Sequence, residues 1–117
     1  MRWLDRITWS DAQVEAEALQ QRARTLAATP IADAVAGEPT IMAGTVRTVT
    51  VRPRTGVSAL EAELYDGTGM VTLVWLGQRQ LRGITPGRPM VVYGRLTCRE
   101  GRSFVFNPRY ELRPFGS

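Results

Sequence analysis

The sequence has no histidine, no lysine, one cysteine and no uninterrupted apolar run long enough to span a bilayer. The missing histidine removes the commonest general base and the commonest transition-metal ligand together, which excludes zinc sites, hydrolytic triads and imidazole acid–base chemistry. A lone Cys98 rules out an intramolecular disulfide, and its setting in an alternating apolar stretch predicts a buried, inert thiol. The first thirty residues include Arg2, Asp5 and Arg6 and never develop the apolar core of a signal peptide or membrane anchor. A cytoplasmic protein with no membrane association is therefore expected.

What is present is an ordinary apolar content of 44% over 117 residues, enough for one domain with its own core. Charge is unevenly distributed. Residues 1–38 hold four arginines against six carboxylates, whereas residues 39–117 hold eleven against five. A basic body with an acidic extension points to a polyanionic partner for the body. Arginine grips phosphate bidentately and stacks on bases, where lysine offers a point charge. The exclusive use of arginine extends to Arg2, Arg22 and Arg24 outside the basic body, however, and a GC-rich coding bias explains it.

Two periodicities divide the chain into a helical extension with linker, 1–40, and a β domain, 41–117. Ser10 fits a helix N-cap, with Gln13 completing a capping box and Trp9 and Val14 placed as a hydrophobic staple. The pattern predicts an α-helix from Asp11 to about Ala28, stopped by Thr29-Pro30, with a modest, mostly alanine stripe suited to packing on the body or on a partner. From Ile41 the period becomes two, and five strands are expected over 41–52, 57–65, 70–76, 89–99 and 102–107. That is a mainly β fold: five strands closing into a small barrel behind an N-terminal helix.

Register follows from the turns. Asp66-Gly67-Thr68-Gly69 makes a tight connection, so Tyr65 faces Met70 and Leu60, Ala62 and Leu64 share an inner face with Val71, Leu73 and Trp75. In the fourth strand Met90, Val92, Gly94, Leu96 and Cys98 point inward, and Val91, Tyr93, Arg95, Thr97 and Arg99 outward. The first strand changes parity between Val46 and Val49. A bulge there would bend it and turn Arg47 outward. If Glu100-Gly101 is a two-residue turn, Phe104 and Phe106 emerge beside Thr97 and Arg95; one more loop residue buries them, and two large rings favour burial.

The stretches Gly44-Thr45-Val46, Leu64-Tyr65-Asp66-Gly67-Thr68-Gly69, Thr72-Leu73-Val74-Trp75-Leu76, Pro86-Gly87 and Val92-Tyr93-Gly94-Arg95-Leu96 resemble the OB-fold nucleic-acid-binding family. They are most similar to the wedge domain of RecG-type branched-DNA helicases and to small stand-alone OB proteins of actinobacteria, and Asn107-Pro108-Arg109-Tyr110 resembles the end of the wedge's last strand. The resemblance spans about residues 41–112 and implies a Greek-key barrel with a helix or loop between Gly77 and Gly87. It implies no motor, because a phosphate-binding loop ends in lysine.

Barrels of that family bind single strands on the face of strands two and three, between the loops joining strands one to two and four to five. Here those loops are Arg52-Pro53-Arg54-Thr55-Gly56 and Arg99-Glu100-Gly101-Arg102. Arg52, Arg54, Arg99 and Arg102 are the expected phosphate contacts, with Arg47 and Arg95 beside them and Tyr65 as the stacking platform. Trp75 is expected in the core. Glu61 and Glu63 lie on the same face and would repel phosphate unless Arg47 neutralises one of them across the ladder. Arg79, Arg82, Arg88, Arg109 and Arg113 read as solvated surface charges, and Asp66 as a turn residue. The expectation is a non-catalytic binder of single-stranded or branched DNA, or of RNA, accessory to repair or recombination, without cofactor or metal. A protein-interaction module working through the helix and barrel is the alternative.

Overall fold

The computed structural model describes residues 25–116 continuously, together with Ala12, Gln13, Glu15, Ala16 and Leu19. Half of the positions in the helix expected over Asp11–Ala28 thus fall outside the described residues. Six strands follow: β1 (Pro39–Arg54), β2 (Val57–Tyr65), β3 (Met70–Leu76), β4 (Pro89–Arg99), β5 (Arg102–Phe106) and β6 (Arg109–Leu112). Among the described residues no helix is long and apolar enough to cross a membrane.

Five strands close in a ring in the order β1-β2-β3-β5-β4, sealed by a second pairing of β1 with β4. Closure depends on β1, which spends its first half on β4 (Pro39↔Arg95 to Thr45↔Pro89) and its second on β2 (Thr45↔Tyr65 to Arg54↔Val57). The ladder slips between Val46 and Thr48, so Arg47 is the bulged residue, as the parity change predicts. Gly44 lies just before the bend, where a Cβ would sit 2.6 Å from the Tyr65 carbonyl oxygen; any side chain there would force the two strands apart.

β3 and β5 run parallel, with Thr72↔Phe104 and Val74↔Phe106, and β4 and β5 form a hairpin with Leu96↔Val105. β6 is a sixth strand beyond the five expected. It continues β5 along β4 after a one-residue slip at Asn107-Pro108, resuming at Tyr93↔Arg109. Asn107, at φ 51°, repairs the break by accepting the Leu76 N–H on its side chain at 3.0 Å and donating its own N–H to Val74 at 2.6 Å. Gly94 permits the crossing, since a Cβ would stand 2.4 Å from Val105 Cγ1.

The core is the inner face anticipated from the registers: Leu60, Ala62 and Leu64 against Val71, Leu73 and Trp75, with Met42, Met90 and Val92. Trp75 satisfies its indole N–H on the Pro108 carbonyl at 3.1 Å and meets Tyr110 edge-on. Two residues outside the strands join this core. Ile84 comes from the 77–88 connection, a series of turns with no helix, and Ile31 from a 3-10 turn (Ile31–Asp33) in the segment read as linker. The β2–β3 turn holds Ile31 in place, because Asp66 accepts the Ile31 N–H at 2.9 Å while bonding its own turn at Thr68 and Gly69.

Three expectations about faces need correction. Cys98 is exposed, because inward parity at the end of β4 projects past the rim, where its sulfur lies 3.8 Å from Ser103 Oγ. Val91 has outward parity yet is fully buried, flanked by Ala43 of β1 and Glu111 of β6. Arg88 and Arg113 are half-buried and structural: Arg88 donates to the carbonyls of Gly83 and Arg113 and stacks on Phe115, and Arg113 donates to Thr25 Oγ1 at 2.6 Å.

Candidate functional site

Two tight hairpins frame one outer face of the barrel. Each has two central residues with positive φ, Thr55 (47°) with Gly56 (82°) and Glu100 (52°) with Gly101 (75°), the backbone requirement of a type I′ turn. Arg52 and Arg54 therefore belong to β1 itself rather than to a loop, and Arg54 pairs with Val57 as Arg99 pairs with Arg102. Such turns match the strand twist and leave no slack, so the arginines are carried on the sheet.

The even-numbered residues of β5 point to this face: Arg102, Phe104 and Phe106. Phe104 is only 6% exposed, but it lies outside the main core, in a second cluster with Ala59 and Val74 against which Phe106 packs. The two-residue turn sends both rings outward, not into the core as a longer loop would; there Phe104 is buried and Phe106 half-buried. Their cover is arginine. The Arg54 guanidinium carbon lies 5.4 Å from the Phe104 ring centre and 5.6 Å from that of Phe106; Arg102 lies 5.0 Å from Phe104 and Arg99 5.9 Å from Phe106. The rings themselves stack at 5.9 Å. Cation–π contacts of this kind are worth about 0.5–1 kcal/mol each at exposed sites, and they hold long side chains in place over the sheet.

Glu61, flanked by these groups, is engaged by Arg54 Nε at 2.6 Å and by Arg52 Nε at 3.8 Å. Arg54, not Arg47, is its partner. Glu63 instead accepts from Thr48 Oγ1 at 2.6 Å. Arg47 leans over the Tyr65 ring at 4.1 Å, forming a second, smaller cation–aromatic unit at the bulge. Arg102 reaches Thr72 Oγ1 at 3.4 Å and lines three adjoining hollows, of about 170, 240 and 250 Å³, that run from Thr48 and Glu63 past Ser103 to Phe106. A trough floored by sheet and edged by cations results.

Of the residues singled out in the sequence, the structure brings Arg52, Arg54, Arg99 and Arg102 together on this trough and places Arg47 and Tyr65 at the bulge. Arg95 is set apart. Its guanidinium donates to the Gly37 carbonyl, and Gly37 in turn donates to Leu96, so Arg95 fastens the segment before β1 onto β4. Sequence reasoning missed Glu61 as an organiser and the two phenylalanines as seats for arginine. The signal was available in the hairpin register, which sets Glu61 opposite Thr50, two pairs from Arg52 and four from Arg54 along the same face.

The chain is similar to RecG, solved bound to a three-way DNA junction. The TM-score is 0.61 at 24% identity, over 74% of this chain and 12% of that one. A likeness at that identity is a likeness of fold, and it corresponds to a small part of RecG. No family model and no curated protein matches the chain.

Proposed function

We propose that the barrel is an OB-fold that binds single-stranded or branched DNA, without catalysing a reaction, in the trough between the two arginine hairpins. The strand order β1-β2-β3-β5-β4 with a parallel β3–β5 pair, and the shared fold with RecG, support this reading. The observation that carries it is the convergence of Arg54, Arg99 and Arg102 on two stacked phenylalanines beside an open trough. Cations held on a flat, sequence-indifferent surface suit the backbone and base faces of a splayed strand. A cytoplasmic role accessory to repair or recombination enzymes follows from such binding.

Fluorescence anisotropy with labelled single-stranded, duplex and forked DNA and with RNA tests it. With about four phosphates neutralised, log affinity should fall against log salt with a slope near −3 for a single strand. Replacing both Arg52 and Arg54 by Ala should weaken every sequence alike. A flat salt dependence, or no binding at low salt, would count against the reading.

One observation favours a protein partner as well. Leu19 and Leu26, seven residues apart, are 60% and 81% exposed. Recovery of one stoichiometric partner after nuclease treatment, lost on Leu19→Ser with Leu26→Ser, would support that second reading.

A further inference from the structure

Glu61 has the wrong sign for a surface that attracts phosphate, yet it is among the most enclosed polar groups on the barrel's outer face, its side chain 9% exposed. A carboxylate kept charged there is costly unless paired, and the pairing is specific: Arg54 Nε at 2.6 Å, with Arg52 at 3.8 Å. Glu61 lies behind the arginines relative to solvent, since the Arg54 and Arg52 side chains are 29% and 65% exposed. The bond uses Nε, the nitrogen nearest the aliphatic stem, and leaves the two terminal amino groups of the guanidinium to a ligand. The ring faces of Phe104 and Phe106 bear on the same guanidinium. Arg54 is therefore held by an anion at Nε and by two aromatic faces.

We infer that Glu61 is a positioning residue for nucleic-acid binding, one that orients Arg54, and secondarily Arg52, so that removing its negative charge weakens binding. The inference rests on the DNA-binding reading above. It runs against simple electrostatics, under which deleting any carboxylate from a phosphate-binding face raises affinity. Glu63 supplies the internal comparison: it occupies the next outward position of β2, and its bond in the structure is to the Thr48 hydroxyl, not to an arginine.

The experiment compares Glu61→Gln with Glu63→Gln, which delete the same charge two residues apart. Glu63→Gln should tighten binding to a labelled single-stranded oligonucleotide about two- to threefold, and Glu61→Gln should weaken it about three- to tenfold. In an Arg54→Ala background Glu61→Gln should no longer weaken binding. Arg54→Lys, which keeps the charge but cannot present Nε to Glu61 and amino groups to the ligand together, should lose several-fold and serves if Glu61→Gln fails to fold. Equal tightening by both glutamine variants, or undiminished binding by Arg54→Lys, overturns the inference. A readout without DNA separates the two claims: the Arg54 Nε–H proton should be protected from exchange in the wild type and lose that protection in Glu61→Gln. Failure of the wild type to bind any nucleic acid defeats the functional reading, whereas an Nε–H equally protected in both proteins defeats the positioning role.

Discussion

At the scale of single residues, small polar groups in this barrel do more than their exposure suggests. Asp66 closes its own turn through Thr68 and Gly69 and reaches across to the Ile31 N–H. Burial alone would raise its pKa, but the bonds from the Thr68 hydroxyl and from the backbone N–H groups of Ile31, Thr68 and Gly69 outweigh it and hold the carboxyl below its ordinary value of 3.8. Because the folded carboxyl is the stronger acid, the unfolded chain takes up the proton first. The stabilisation is complete above the unfolded pKa and is lost as pH falls from about 5 through the folded value. Asp66→Ala should cost about 1–3 kcal/mol at pH 7, and its urea-unfolding midpoint should fall less steeply than that of the wild type on going from pH 5 to pH 3. Parallel acid limbs would show that Asp66 is not the group responsible.

At the scale of elements, the two hairpins decide what the outer face presents. Their I′ geometry requires positive φ at both central positions, and the glycines meet it in each case while Thr55 and Glu100 do so against preference. Thr55 is β-branched and poorly suited to φ 47°. Thr55→Asn should raise stability by about 0.5–1 kcal/mol, seen as a higher melting temperature with unchanged oligonucleotide affinity, because the arginines on the strands keep their register. A lowered melting temperature would mean that Thr55 makes a contribution beyond its backbone conformation. For β4–β5 a two-residue turn at Glu100-Gly101 is one of two readings, and the burial expected of two large rings favours the other; the structure has the two-residue turn, with Arg99 opposite Arg102. The β1–β2 turn is also hard to read, since Pro53 between two arginines reads as loop but sits on an extended strand paired with Ser58.

At the scale of the whole molecule, the barrel is closed from outside its own strands. Ile31 and Ile84 come from a 3-10 turn and an irregular connection, yet both are buried in the same core as the strand residues. Ile31→Ala should destabilise the whole barrel by about 2–4 kcal/mol, with one cooperative transition by near- and far-UV circular dichroism. A melting temperature unchanged by the substitution would place the segment before β1 outside the folding unit. The likeness to RecG belongs to this scale, since at 24% identity it is a likeness of fold.

The sequence by itself determined the five strands of the ring, though not β6, together with the inner faces of β2 and β3, the parity change at Arg47 and the tight turn at Asp66, because alternation and turn chemistry are local and each strand has one face that must avoid water. It also singled out Arg52, Arg54, Arg99 and Arg102, which the structure gathers on one face, while Arg47 and Arg95 lie apart from them. Only the tertiary structure decided which of them act together. Arg54 could be assigned to Glu61 and the phenylalanine pair only once β1, β2, β3 and β5 lay side by side, and Arg95 to Gly37 only once the segment before β1 lay on β4. Cys98 at the rim, Val91 beneath its neighbours and Ile31 in the core share the same cause: burial at the ends and edges of a small barrel depends on what crosses them, and those contacts lie far apart along the chain.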